Sequence, residues 1–412
     1  LIPNTTIIRN YPLVAQALGA GNPVRARQML WQSVYLAALV TAALLAPLFL
    51  SPLILVPLGI EQPVADVVRS YLWIRIIGLF PALVYVGARS YLQGVGVTRP
   101  LVISTIAANI VNFALDVLLV FGGAGLPAWM GPVRSIPALG TDGAAWATAT
   151  ATLCQLAILI VAVRGTSVPG GDPSMIRTLD RSAIAEALKV GAPVGFQLAA
   201  ETGVFALAGF LAGRMGAHAL AAHQIALTLA SMTFMVAVGL GNAGSVRVGK
   251  AIGARDVPGT RRAGLVAFAA AGGFMTFSAL MFWAFPRQIT LLLTDKEDLI
   301  LSAIPLMTVA AAFQISDGLQ AVGSGVLRGA GDTTFAFLAN VAGHWLVGLP
   351  VALIFGVWLG YGVVGLWIGL ATGLSAVAAA LFARFYVRSR RAIAPLESFT
   401  SSSSARPSSD PS

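Results

Sequence analysis

The chain has 412 residues, of which 57% are hydrophobic and only 10% charged, and its mean hydropathy is +0.83. Soluble domains carry about a quarter charged residues, so a soluble enzyme or binding domain is excluded. Apolar runs longer than about 18 residues recur, which predicts many membrane-spanning helices. The net charge of +10 does not mark a nucleic-acid partner. The basic residues fall in short loops between apolar runs, where they set topology. Cys154 stands alone, so no disulfide framework or thiolate cluster is expected. His218, His223 and His344 lack metal-ligand spacing, which argues against a metal-dependent enzyme.

In chain order the apolar runs predict helices over 29–58, 64–92, 100–122 and 139–164, then 184–213, 217–246, 259–285, 297–328, 333–358 and 362–388. The fold class is therefore all-α and polytopic, with about ten spans. Residues 1–164 form an expected N-terminal lobe and 184–391 a C-terminal lobe. The polar stretch 165–183, opening GTSVPGGDPS, reads as the linker between them. The Ser/Pro-rich residues 392–412 read as a disordered tail. Arg25, Arg27, Arg164, Arg177, Arg181, Arg247, Lys250, Arg261, Arg262, Arg388 and Arg390 crowd one set of loops, while the alternate loops are nearly bare. That bias places the linker and the C-terminus in the cytoplasm.

The two lobes read as repeats. Gly253-Ala254 follows Gly19-Ala20 by 234 residues, Thr333 follows Thr98 by 235, and Phe355-Gly356 follows Phe121-Gly122 by 234. Both copies keep the same loop side, as parallel repeats do. On this register residue 1 matches the middle of the second repeat, so the first is expected to lack about two helices.

An ionisable group inside a span is costly and marks function by default. Arg75, Asp116, Glu201, Asp317 and His344 are such groups. Asp317 lies near the middle of 297–328, with Phe313, Gln314 and Gln320 as helix neighbours, and is suited to loading and releasing a proton. It also reads as a structural acid paired across helices. Glu201 lies mid-span after Pro193; its alternative is a lone acid bonded to backbone freed by that proline. Two acids from two helices can share protons or hold one Na⁺ through hard oxygens. Asn109, Asn112 and Asp116 share a helix face and read as a cleft lining, a packing network, or an ion pair with Arg75. Gln197, Gln314, Phe313 and His344 are further cleft-lining candidates. Asn340 shares a face with His344, which reads as a satisfied core histidine or a proton relay. His218 and His223 are expected near a loop end, at the interface. Phe196, Phe205, Phe313 and Trp345 are core packing or a face for an organic cation. The glycine-rich GAGDT lacks the phosphate-loop Lys and reads as a helix end.

LQGVGVTRPLVISTIAANIVNFALDVLLVFG, LAAHQIAL, VLRGAGDT and the loops QALGAG and KAIGAR resemble the multidrug and toxic compound extrusion (MATE) family, in its bacterial NorM-like subgroup, from about Val14 to Arg391. The resemblance implies two six-helix bundles around a central cleft. It implies antiport of small organic, usually cationic, compounds against H⁺ or Na⁺, by a monomer in the cell membrane with no cofactor beyond the coupling ion. Asp317 and Glu201 match the acids of the family's cation site, and Phe313 stands where the subgroup often has Tyr, removing one oxygen ligand. A lipid-linked saccharide flippase of the wider superfamily, a membrane-embedded enzyme and an inactive fragment are the alternatives. The first needs mid-span basic residues for a pyrophosphate, and the second a nucleophile–base pair.

Overall fold

The computed structural model describes residues 10–124, 128–166 and 177–396; the middle of the expected linker and the expected tail from 397 onward lie outside them. Among the described residues there is no strand. In order the helices are α1 (Asn10–Gly19), α2 (Pro23–Leu50), α3 (Gln62–Ile77), α4 (Leu79–Val95), α5 (Arg99–Phe121), α6 (Thr141–Arg164), α7 (Arg181–Arg214), α8 (Ala217–Gly253), α9 (Val257–Ala284), the short α10 (Pro286–Thr290), α11 (Glu297–Gly329), α12 (Thr333–Trp358) and α13 (Gly362–Arg388). Nine are long and apolar enough to span a membrane, and the bent pair α3–α4 makes a tenth.

Two predicted spans differ in detail from those observed. The run expected as one helix over 64–92 bends by 44° between α3 and α4. Pro81 lies just beyond Gly78; its ring has no N–H to donate and clashes with the carbonyl four residues back, at Ile77. The second is α12, which widens into π-helical turns at Ala342–Gly348 and Ile354–Trp358. Pro350 follows the first of these and removes a hydrogen bond from the ladder.

The chain divides into two compact units, one built mainly from Asn22–Ala187 and the other from Leu188 onward together with Ala15–Gly21. In the first, α6 packs against α5, α4 and α3. In the second, α11 is the hub, lying against α8, α9 and α13. Its approach to α8 depends on missing side chains: a Cβ on Gly325 would stand 2.4 Å from the Gly241 carbonyl oxygen. Membrane helices pack by such backbone proximity because lipid supplies no hydrophobic drive between them.

The repeat is visible in the backbone. Gly21 and Arg255, which are 234 residues apart, both adopt left-handed conformations, at φ +73 and +55. The next residues, Asn22 and Asp256, each cap the following helix by accepting from a backbone N–H, of Arg25 and Gly259. Within the second unit Gly19 sits on Lys250, and Gly253 sits on Gln16. Since Gly19 corresponds to Gly253 and Gln16 to Lys250, this is one contact made twice. Gln16 also donates to the Gly329 carbonyl at 3.0 Å, satisfying the end of α11.

Candidate functional site

A polar network runs through the apolar core of the second unit, on α7, α11 and α12. Asp317 is buried, at 6% exposure, on the packed face of α11. Among the described residues no side chain or backbone group hydrogen-bonds its carboxylate. Glu201 on α7 is half-buried and lies within electrostatic reach of Asp317. Gln320, one turn beyond Asp317, connects the two helices. Its Nε2 donates to Glu201 Oε2 at 3.4 Å and to Asn340 Oδ1 at 2.6 Å.

Asn340 completes that link from α12, donating its own Nδ2 to the Ala336 carbonyl at 2.8 Å. His344, one turn on, places Nδ1 2.9 Å from the Asn340 carbonyl. A carbonyl only accepts, so Nδ1 carries the proton, and in the neutral form of the ring Nε2 presents a lone pair. That Nε2 is buried without a partner, as are Gln320 Oε1 and Gln197 Oε1. Gln197 is held by donating Nε2 to Ser324 Oγ at 3.1 Å. The network therefore has more acceptors than donors: two carboxylates, two amide oxygens and an imidazole lone pair. Buried acceptors are costly to leave unsatisfied, and a proton or a hard cation is the species that satisfies such a set.

The other candidate residues are placed differently. Gln314 is fully buried, and its Oε1 accepts from Ser278 at 2.5 Å and from Thr233 at 3.0 Å. It clamps α11 to α9 and α8. Phe313 is also core, packed edge-on against Trp367 and Phe205 at 5.1 and 6.1 Å between ring centroids. Phe196 is exposed, and Trp345 donates its indole N–H to the Ala200 carbonyl at 3.2 Å. Asn109, Asn112 and Asp116 belong to α5 of the first unit, with Asn109 exposed and the other two half-buried. Asp116 Oδ1 and Asn112 Nδ2 have no partner there, and no ion pair with Arg75 forms among the described residues.

One histidine departs from expectation. His223 is not interfacial but fully buried, accepting at Nδ1 from Trp367 Nε1 at 3.1 Å. It lies two turns inside α8, where Trp367 supplies an indole donor that chain position alone does not reveal. His218, on the first turn, is exposed and lies 2.8 Å from Asp298. Ser324 is the site member that sequence reasoning passed over. Asp317, Gln320 and Ser324 recur at spacings of 3 and 7, one polar stripe on an apolar helix, and that pattern was available in the residues.

The sequence profile of the MatE family matches residues 11–118 and 193–354, more than half of the chain. The chain belongs to the MATE family. It is 33% identical over 387 residues to a probable multidrug resistance protein NorM of Rhizobium meliloti, covering 92% of this chain and 81% of that one. A probable multidrug resistance protein NorM of Deinococcus radiodurans is 34% identical over 392 residues, with coverage of 92% and 82%. Among solved structures, a Vibrio cholerae MATE transporter superposes with a TM-score of 0.81 at 19% identity, over 94% of this chain and 85% of that one. A eukaryotic MATE transporter does so with a TM-score of 0.78 at 20% identity, over 95% and 86%. At those identities the superpositions establish the shared fold, an all-α multi-pass membrane architecture. The second matched segment of this MATE chain holds every member of the network, from Gln197 to His344.

Proposed function

We propose that this MATE protein is a secondary antiporter of the cell membrane, exporting small organic, cationic compounds in exchange for H⁺ or Na⁺ taken up at Asp317 and Glu201. The observation that carries the reading is the unpartnered carboxylate of Asp317, buried beside Glu201 among surplus acceptors. An uncompensated charge inside a membrane bundle is costly, so the pair is suited to exchanging a proton or Na⁺ rather than to structural pairing. The names of the relatives from Rhizobium and Deinococcus support multidrug substrates. The arginine-rich loops support a cytoplasmic C-terminus. A monomer suffices, because one unit of one chain supplies every group of the pair.

In this reading Gln320 holds the Glu201 carboxylate towards Asp317. Cation loading removes the charge that a cationic substrate favours. Exchange follows if the coupling cation and the substrate each bind the outward- and inward-open states unequally. The test is efflux of a fluorescent organic cation from proteoliposomes, with proton and sodium gradients imposed separately. Asp317→Asn and Glu201→Gln are each expected to abolish gradient-driven export while leaving the protein folded. Export that survives both substitutions would refute the site.

A further inference from the structure

At the arginine-rich end of the second unit, α9 begins beside the point where α13 ends. Between them lies a cavity of about 470 Å³, lined by Arg261, Arg262, Arg390 and Ser389 and walled by Leu265 and Val266. We propose that this cavity is a binding site for the phosphate headgroup of an anionic phospholipid, whose acyl chains run along the exposed apolar face of α9.

Three observations converge on that ligand. The first is charge. Among the described residues no carboxylate pairs with Arg261, Arg262 or Arg390, although Arg384 and Arg388 of the same α13 both pair with Asp332. The nearby Asp256 is engaged as the cap of α9, accepting from the Gly259 N–H. Three positive charges thus converge on one hollow without a carboxylate partner among the described residues, where Arg261 Nε is also buried without a hydrogen-bond partner. The second is preorganisation. Arg261 and Arg390 lie over the Tyr386 ring, at 5.0 and 4.5 Å from its centroid. A guanidinium fork held on an aromatic face is set to meet phosphate oxygens in pairs. The third is position. Val266 is 54% exposed on a helix apolar enough to span the membrane, one turn from the arginines. A headgroup at the arginines therefore continues into hydrocarbon along α9, whereas a free anion would leave that wall unused.

The experiment uses the full chain in a neutral sugar detergent, with binding read from thermal unfolding as dioleoyl phosphatidylglycerol is titrated into the micelles. Dioleoyl phosphatidylcholine and inorganic phosphate are the parallel arms. Phosphatidylglycerol is expected to raise the unfolding temperature of the wild type and phosphatidylcholine to leave it unchanged. The triple variant R261Q/R262Q/R390Q should bind phosphatidylglycerol at least tenfold more weakly, as expected for charges that each attract an anionic lipid surface. R262Q/R390Q, which keeps Arg261 on Tyr386, should fall between and guards against a folding defect. Equal binding by wild type and both variants overturns the site. So does an equal shift with phosphatidylcholine. An arginine-dependent shift produced as fully by inorganic phosphate overturns the lipid, leaving a free-phosphate site.

Discussion

Gly253→Ala tests whether the doubled contact between Gln16–Gly19 and Lys250–Gly253 is as tight as its geometry implies. A Cβ on Gly253 would lie 2.0 Å from the Gln16 carbonyl oxygen and 3.0 Å from the Ala20 nitrogen. Carbon and oxygen approach to about 3.3 Å at the closest, so the crossing must open by about 1.3 Å. Every atom in the way is backbone, and no rotamer change relieves the overlap. Overpacking of this kind costs about 1–3 kcal/mol, against a helix-propensity gain of about 1 kcal/mol for replacing glycine. A net loss of about 1 kcal/mol is expected, read as a fall in unfolding temperature of the purified chain in detergent. Gly273→Ala on α9 is the control, because nothing lies within 4 Å of its Cβ; it should hold or raise that temperature. Gly19→Ala, whose Cβ meets the Lys250 carbonyl at 2.0 Å, should behave like Gly253→Ala. The double variant should cost much less than the sum, since one opening relieves both overlaps and neighbouring sites couple. Equal shifts for Gly253→Ala and Gly273→Ala would refute the tight crossing, and strict additivity would refute the coupling of its two halves.

Three further outcomes follow from side chains outside the proposed cation site. Burial raises the pKa of Asp180, but hydrogen bonds from Ser182, Arg25 and the Ala183 N–H outweigh it and hold the carboxyl at about 2. Its folded value is depressed, so its stabilisation is present above the unfolded value of 3.8 and is lost as pH falls from there towards about 2. With solvent screening it amounts to about 1–2 kcal/mol, and Asp180→Asn should flatten the acid limb of a stability–pH profile over that window. Trp367→Phe removes the only donor to His223 Nδ1 among the described residues and should cost about 1–3 kcal/mol. Adding His223→Leu should recover part of that loss in thermal melts, because both polar partners are then gone. Asp332→Asn breaks the pairs with Arg384 and Arg388 and should cost about 1 kcal/mol, with the gap to wild type narrowing in 1 M salt.

The number and order of spans were legible because hydropathy and length alone identify a helix that must satisfy its own backbone in lipid. The ends of α12 and α13 fall where the apolar runs stop, at Trp358 and Arg388. The bend at Gly78 and the widened turns of α12 were not read. The bend and the first widened turn each depend on a proline acting on a carbonyl four residues back, and hydropathy carries no record of that geometry. The acids of the proposed site, Asp317 and Glu201, were picked out by the cost of charge in a span, a property of single residues. Gln320's link from Glu201 to Asn340 was not, because it depends on three helices meeting at one height. The same division explains His223: its chain position near a helix start predicts exposure, while Trp367, 144 residues away, makes it core.

The repeat also bears on where the proposed coupling site lies. The turns at Gly21 and Arg255 and the caps at Asn22 and Asp256 are kept in both copies, because a tight turn into a capped helix requires them. The equivalents of Asp317 and Gln320 in the first copy are Ala82 and Tyr85, which carry no charge, and Tyr85 is buried. Duplicated backbone geometry thus supplies the scaffold, and an unduplicated pair of polar residues on α11 supplies the proposed coupling. Placing an aspartate and a glutamine at positions 82 and 85 should therefore leave the fold's turns intact without restoring export to an Asp317→Asn protein, because Glu201 and Asn340 are bound by Gln320 of α11. Restored export in proteoliposomes would show that the scaffold, rather than the Glu201–Gln320–Asn340 connection, decides where coupling occurs.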